Sequence, residues 1–152
     1  DLLKGEKYVD STVFRRGNDL GLLSYKAIKG GWQLVSFSLD MEQKVLKKEN
    51  VLDYKENIGR PAGYIFAGNK RPAQDCQKKY GENLLVYEVD SFSPYSEHLI
   101  KTVGANQIET SKPYDRVHTY TDDGTFEVVD LFKEKFDLMH GVKIFCRAYL
   151  RK

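Results

Sequence analysis

Short runs rich in β-branched and aromatic residues recur along this chain, and turn residues close them. This punctuation is what most limits the folds open to it. Residues 8–15 form the first run, and Gly17-Asn18-Asp19 breaks it. Residues 32–39 form a second, carrying Ser36-Phe37-Ser38. Residues 62–67 read as a short strand turned by Gly68-Asn69, and 84–89 as a buried one. Residues 116–120 and 125–131 flank Asp122-Asp123-Gly124, a hairpin signal. Near the end, Val142, Ile144, Cys146, Ala148 and Leu150 alternate with Lys143, Phe145, Arg147, Tyr149 and Arg151, the pattern of a strand half-buried in a sheet.

Helix signals interrupt the strands. Asp40 with Gln43 three residues on reads as a capping box, followed by an apolar stripe of Met41, Val45 and Leu46. Pro72 sits where a first helical turn tolerates it, which predicts a helix over 72–80 ending at Gly81. Residues 97–103 read as a helical turn stopped by Gly104, and 20–28 are ambiguous. The expectation is an α+β fold, a strand-rich split β-sheet core with a few short helices.

The length of 152 residues predicts one domain, 1–152, burying roughly two-thirds of its unfolded surface. A net charge of +2, from 24 basic and 22 acidic residues, is too balanced to argue for nucleic acid by charge alone. No apolar run is long enough to span a membrane as a helix. Cys76 and Cys146 do not make a disulfide framework, and two separate buried thiols fit better than a pair. The first residue is Asp1 and no leader pattern follows, as expected of a processed or excised piece.

Chemistry is sparse. His98, His118 and His140 lack metal-ligand spacing. A Cys76–His118 pair competes with a plain reading of Cys76 as the inward residue of the 72–80 helix. Arg15 closes the first strand directly after Phe14, so the two side chains face opposite ways. Facing a cleft, a guanidinium there is a fixed fork for phosphate or carboxylate. Gln107-Ile108-Glu109, read as a strand step, places Gln107 and Glu109 on one face.

In order and approximate spacing, Val13-Phe14-Arg15, Gly63-Tyr64-Ile65-Phe66-Ala67-Gly68, the Ala73-bearing helix, Val86-Tyr87-Glu88-Val89 and Gln107-Ile108-Glu109 resemble mono-ADP-ribosyltransferase toxins of the cholera and pertussis type. Phe66-Ala67-Gly68 stands where that family carries Ser-Thr-Ser. The resemblance covers residues 12–120. It implies NAD as substrate, a target macromolecule in another cell, and secretion or delivery alongside an immunity or delivery protein. Glu109 would face the ribosyl cation that develops as nicotinamide leaves. Gln107 would orient the acceptor and Arg15 would hold the diphosphate. Tyr64 and Phe66, beside Ala67, would stack on nicotinamide.

Two other functions stand beside this one. A small ribonuclease needs only a His acid or base and a cation on the phosphate. His118, beside Tyr120 on the hairpin, is its best base. Residues 133–152, with six basic and two acidic groups, include His140, Lys143 and Tyr149. A non-catalytic binding or immunity-type module would use the 10 Tyr, 8 Phe and one Trp as a contact surface.

Overall fold

The computed structural model describes residues 5–134, and its architecture is antiparallel β rather than α+β. Ten strands are present among those residues, with one 3₁₀ turn at Ala105–Gln107. The first sheet is a meander of β1 (Val9–Arg16), β2 (Asp19–Ile28), β3 (Gly31–Asp40) and β4 (Val45–Tyr54). The second is a meander of β5 (Ile58–Pro61), β6 (Lys70–Asp75), β7 (Asn83–Phe92) and β8 (Tyr95–Val103). β9 (Arg116–Asp122) and β10 (Glu127–Phe132) form a separate hairpin around the Asp122-Asp123-Gly124 signal. The strand expected at 142–151 lies outside the described residues.

The glycine breaks act as hairpin turns. Gly17, at φ +60, takes the first central position of the two-residue link from β1 to β2, where a positive φ matches the twist of the flanking strands.

The expected helices are strands for identifiable reasons. Asp40 does cap backbone N–H groups: its Oδ1 accepts from Glu42 N at 3.1 Å and Gln43 N at 2.9 Å. That Asx turn closes the β3–β4 hairpin, with Lys44 at φ +54, instead of opening a helix. Residues 72–80 are strand then turn. The carbonyl of Pro72 accepts from Ala62 N, so its ring nitrogen also faces the β5 side, past β5's last paired residue Pro61, where no ladder donor is required. Ala73 is therefore a strand residue, and Cys76 follows the strand instead of facing inward from a helix. Residues 97–103 pair with β7 as β8. The strand expected at 62–67 is an irregular link with a single bridge, Phe66 to Lys70.

The second sheet is covered on both faces, and β7 records this. Leu85 and Tyr87 pack with Ala73, and Val89 joins Phe14, Leu23, Tyr25, Leu34 and Tyr95 between the two meanders. Leu84 points the other way and packs with Ala62, Ala105 and Val117 beneath the hairpin. A strand buried on both faces reads as a near-continuous apolar run, as residues 84–89 do apart from Glu88. The hairpin is locked down beside the 62–67 link. Tyr120 N donates to Ala62 O, and a Cβ on Gly63 (φ +149) would fall 1.9 Å from Tyr120 O. Only glycine admits that approach.

Candidate active site

Among the described residues, one buried and one open cluster of charged and tyrosyl side chains differ in their surroundings. The first is sealed between the sheets. The Arg71 guanidinium, fully buried, gives Nε to Glu97 Oε2 at 2.6 Å and Nη2 to Oε1 at 2.5 Å. Its Nη1 donates to Gly59 O at 3.1 Å, and the group lies 4.9 Å from the Tyr87 ring. The hydroxyls of Tyr54 and Tyr95 donate to the same carboxylate at 2.8 and 2.7 Å. Burial alone would raise the Glu97 carboxyl. The Arg71 charge, with hydrogen bonds from Arg71, Tyr95 and Tyr54, outweighs it and holds Glu97 below the ordinary carboxylate range. Burial pushes the Tyr87 hydroxyl up to about 12. The carboxylate is fully engaged and the side chains are out of reach, so this cluster is structural.

The second cluster is open, and a β-bulge creates it. Asp130 pairs with Thr119 and Leu131 with Val117, so His118 is an extra residue with no partner opposite. Bulges re-aim side chains in this way, often next to functional sites. Val117 beside it is fully buried and fixes the backbone. The imidazole then meets two groups. Its Nδ1 lies 3.2 Å from Asp130 Oδ2, and its Nε2 lies 2.6 Å from the Tyr80 hydroxyl. A carboxylate only accepts, so Nδ1 donates to Asp130, and in the neutral form of the ring the Nε2 lone pair accepts from the Tyr80 O–H. This is the orienter–base–hydroxyl order that nucleophilic and acid–base sites share.

The cleft around them, about 330 Å³, is walled by Tyr80, Gly81, Arg116, His118, Asp130 and Phe132. Arg116 stacks 4.3 Å from the Phe132 ring, donates to Tyr80 O at 2.9 Å and pairs with Glu134 at 2.7 Å. Its Nε is buried without a partner among the described residues. Arg60 lies 5.2 Å from the Tyr80 ring and pairs with Asp10. Two guanidinium groups thus flank the tyrosine that touches the imidazole.

The residues singled out from sequence scatter. Arg15 is exposed at the end of β1, with no hydrogen bond or ion pair among the described residues. It lines a cleft of about 330 Å³ with Tyr64 and Phe92. Phe66 is elsewhere: it meets Tyr120 edge-on at 4.9 Å and lines an apolar cleft of about 450 Å³ between the second sheet and the hairpin. Ala67 occupies a left-handed turn at φ +45. Gln107 is not on a strand with Glu109. It ends the 3₁₀ turn, where its Oε1 accepts from Gly104 N at 2.8 Å, and Glu109 is exposed beyond it. Glu109 is not among the residues that line the Arg15 cleft. The split α+β frame expected to bring them together is replaced by the all-β one.

Cys76 is buried, its Sγ accepts from Gly81 N at 3.4 Å, and burial pushes its thiol up. The His118 partners are Asp130 and Tyr80, not Cys76. His98 is exposed against Asp90 at 2.8 Å, a contact that raises its imidazole. Cys146, His140, Lys143 and Tyr149 lie outside the described residues. Among the described residues no three His, Cys, Asp or Glu side chains gather as a metal site, and no helix is long and apolar enough to cross a membrane. A scan of protein-family models finds no match to this chain, and searches of curated proteins and of solved structures find none either.

Proposed function

We propose that this protein cleaves RNA, with His118 as its general base. The observation that carries the reading is the bulge-held imidazole, oriented by Asp130 and hydrogen-bonded to Tyr80, in an open cleft that Arg116 also lines. Attack by a ribose 2′-hydroxyl on its own phosphodiester needs a base, an acid and positive charge on the phosphate. The incoming 2′-hydroxyl displaces the Tyr80 O–H from His118 Nε2, which takes its proton as the 2′-oxygen bonds to phosphorus. The bond from phosphorus to the 5′-oxygen breaks, and the leaving oxygen takes the Tyr80 proton. The imidazolium returns its proton to Tyr80 across the 2.6 Å contact. The products are a 2′,3′-cyclic phosphate and a 5′-hydroxyl, and no further reactant is consumed.

The test is incubation of the purified chain with tRNA and with a labelled oligoribonucleotide, reading cyclic-phosphate ends. Wild type should cleave, and His118→Ala should lose about 10²- to 10⁴-fold in rate while keeping its fold. An inert wild type overturns the proposal, as does a His118→Ala variant of full activity. NAD⁺ turnover by the same preparation, abolished by Glu109→Ala, would favour the transferase resemblance instead.

A further inference from the structure

We infer that the substrate is held as an extended single strand in a groove running from His118 to Arg15, with Tyr64 as its stacking platform. This rests on the ribonuclease reading of His118. Three clefts share walls. The His118–Tyr80 cleft adjoins one of about 360 Å³ that His118 and Tyr64 both line, and Tyr64 in turn lines the Arg15 cleft. The middle cleft is floored by Thr119, Thr121, Ser11 and Gln74, polar side chains suited to sugar and base edges.

Tyr64 is 64% exposed, unusual for a residue whose neighbours are so firmly held. The Thr12 hydroxyl donates to Gly63 O at 2.9 Å, and Tyr120 clasps Ala62 and Gly63 from the hairpin. A presented ring on an anchored backbone offers a π-face without an ordering cost. Tyr80, 50% exposed, offers a second ring at the reacting end. The groove's carboxylates are engaged, Asp10 with Arg60 and Asp130 with His118. Arg15 is not neutralised among the described residues, which leaves it for a distal phosphate. Alternating stacking faces and cations is how proteins hold single strands with little sequence preference.

The experiment uses the full chain and a 2′-O-methyl oligonucleotide, which cannot undergo 2′-hydroxyl attack, so binding is read apart from cleavage. Fluorescence anisotropy should show wild type binding the single strand more tightly than a duplex of equal length. Tyr64→Ala should lose affinity by about 5- to 150-fold. Arg15→Gln should lower the slope of log affinity against log salt by about 0.7. Phe126→Ser, on an exposed ring that lines none of the three clefts, should bind as wild type. The inference fails if the single strand does not bind, if the duplex binds equally, or if Tyr64→Ala and Arg15→Gln both match wild type. Any of these with His118-dependent cleavage intact removes the groove and keeps the reading above. Binding as expected with no His118-dependent cleavage removes that reading and keeps the groove.

Discussion

The Arg71–Glu97 cluster and the His118–Asp130 cluster use similar parts, a nitrogen donor group, a carboxylate and tyrosyl hydroxyl, to opposite ends. In the first, both charged side chains are all but fully buried, and four hydrogen bonds converge on the carboxylate. In the second, the His118 side chain is 28% exposed and Asp130 is 62% exposed. A charge pair sealed from water is satisfied completely or is very costly, so it fixes a structure. A pair in water costs little, so one member is free to exchange protons with a visitor. Burial, more than residue type, decides which cluster is sealed into the fold and which is open to solvent.

The sharpest way to break the comparison is to orphan the buried carboxylate. Arg71→Ala should cost about 3–5 kcal/mol in urea unfolding, because Glu97 is left charged among tyrosines. Replacing both members together, Arg71→Met with Glu97→Leu, should recover only part of that loss, because the Tyr54 and Tyr95 hydroxyls then lack their acceptor. The pair also predicts an acid dependence. Glu97 is held below its ordinary value of 4.5 in the folded protein. It therefore contributes stability that is present above that value and drains away as pH falls through the folded one. Unfolding wild type and the double variant across that range should show a steeper acid loss in wild type. Equal slopes would mean Glu97 is not the linked group.

The second prediction concerns the tyrosine of the open cluster. If Tyr80 is the acid, Tyr80→Phe should slow RNA cleavage by about 10²-fold with stability changed by less than about 0.5 kcal/mol. If the hydroxyl only caps the imidazole, the rate should hold. The buried counterpart should behave the other way round: Tyr95→Phe would remove one of the Glu97 donors and show in unfolding, not in rate.

What the sequence makes legible follows the range of the interactions. The hairpin is readable because its signal, Asp122-Asp123-Gly124, is local and its strands adjoin it. The run at 84–89 is readable as buried because both faces of β7 are covered. The Asp40 and Pro72 signals are real local chemistry whose meaning depends on a partner strand, and local pattern cannot say whether a capped turn opens a helix or closes a hairpin. His118 is readable as a hairpin residue. Its partners are not: Tyr80 arrives from the β6–β7 turn and Asp130 from across the ladder, at separations of 38 and 12 residues. The bulge that aims the ring is one unpaired residue in a strand that otherwise alternates normally. Arg71 and Glu97 resemble surface charges in sequence, and only the packing of two sheets makes them a pair. Arg15 and Tyr64, taken from a resemblance, do share a cleft, but Glu109 and Phe66 do not join them there.

The smallest effect tests the comparison most closely. Asp130 lies mostly in water, so its attraction for the imidazole is screened and worth at most about 1 kcal/mol. Asp130→Ala should therefore slow cleavage by only about two- to fivefold, and less at high salt, where screening has already weakened the field. In the proposed reaction Asp130 has a positioning role, since it touches Nδ1 and not Nε2. A structural residue would alter stability and leave the salt dependence alone. A loss near that of His118→Ala would show that bound RNA expels water from the cleft and brings Asp130 into the dielectric regime of Glu97. The open cluster would then close on its substrate, and the contrast between the two would be a property of the free protein only.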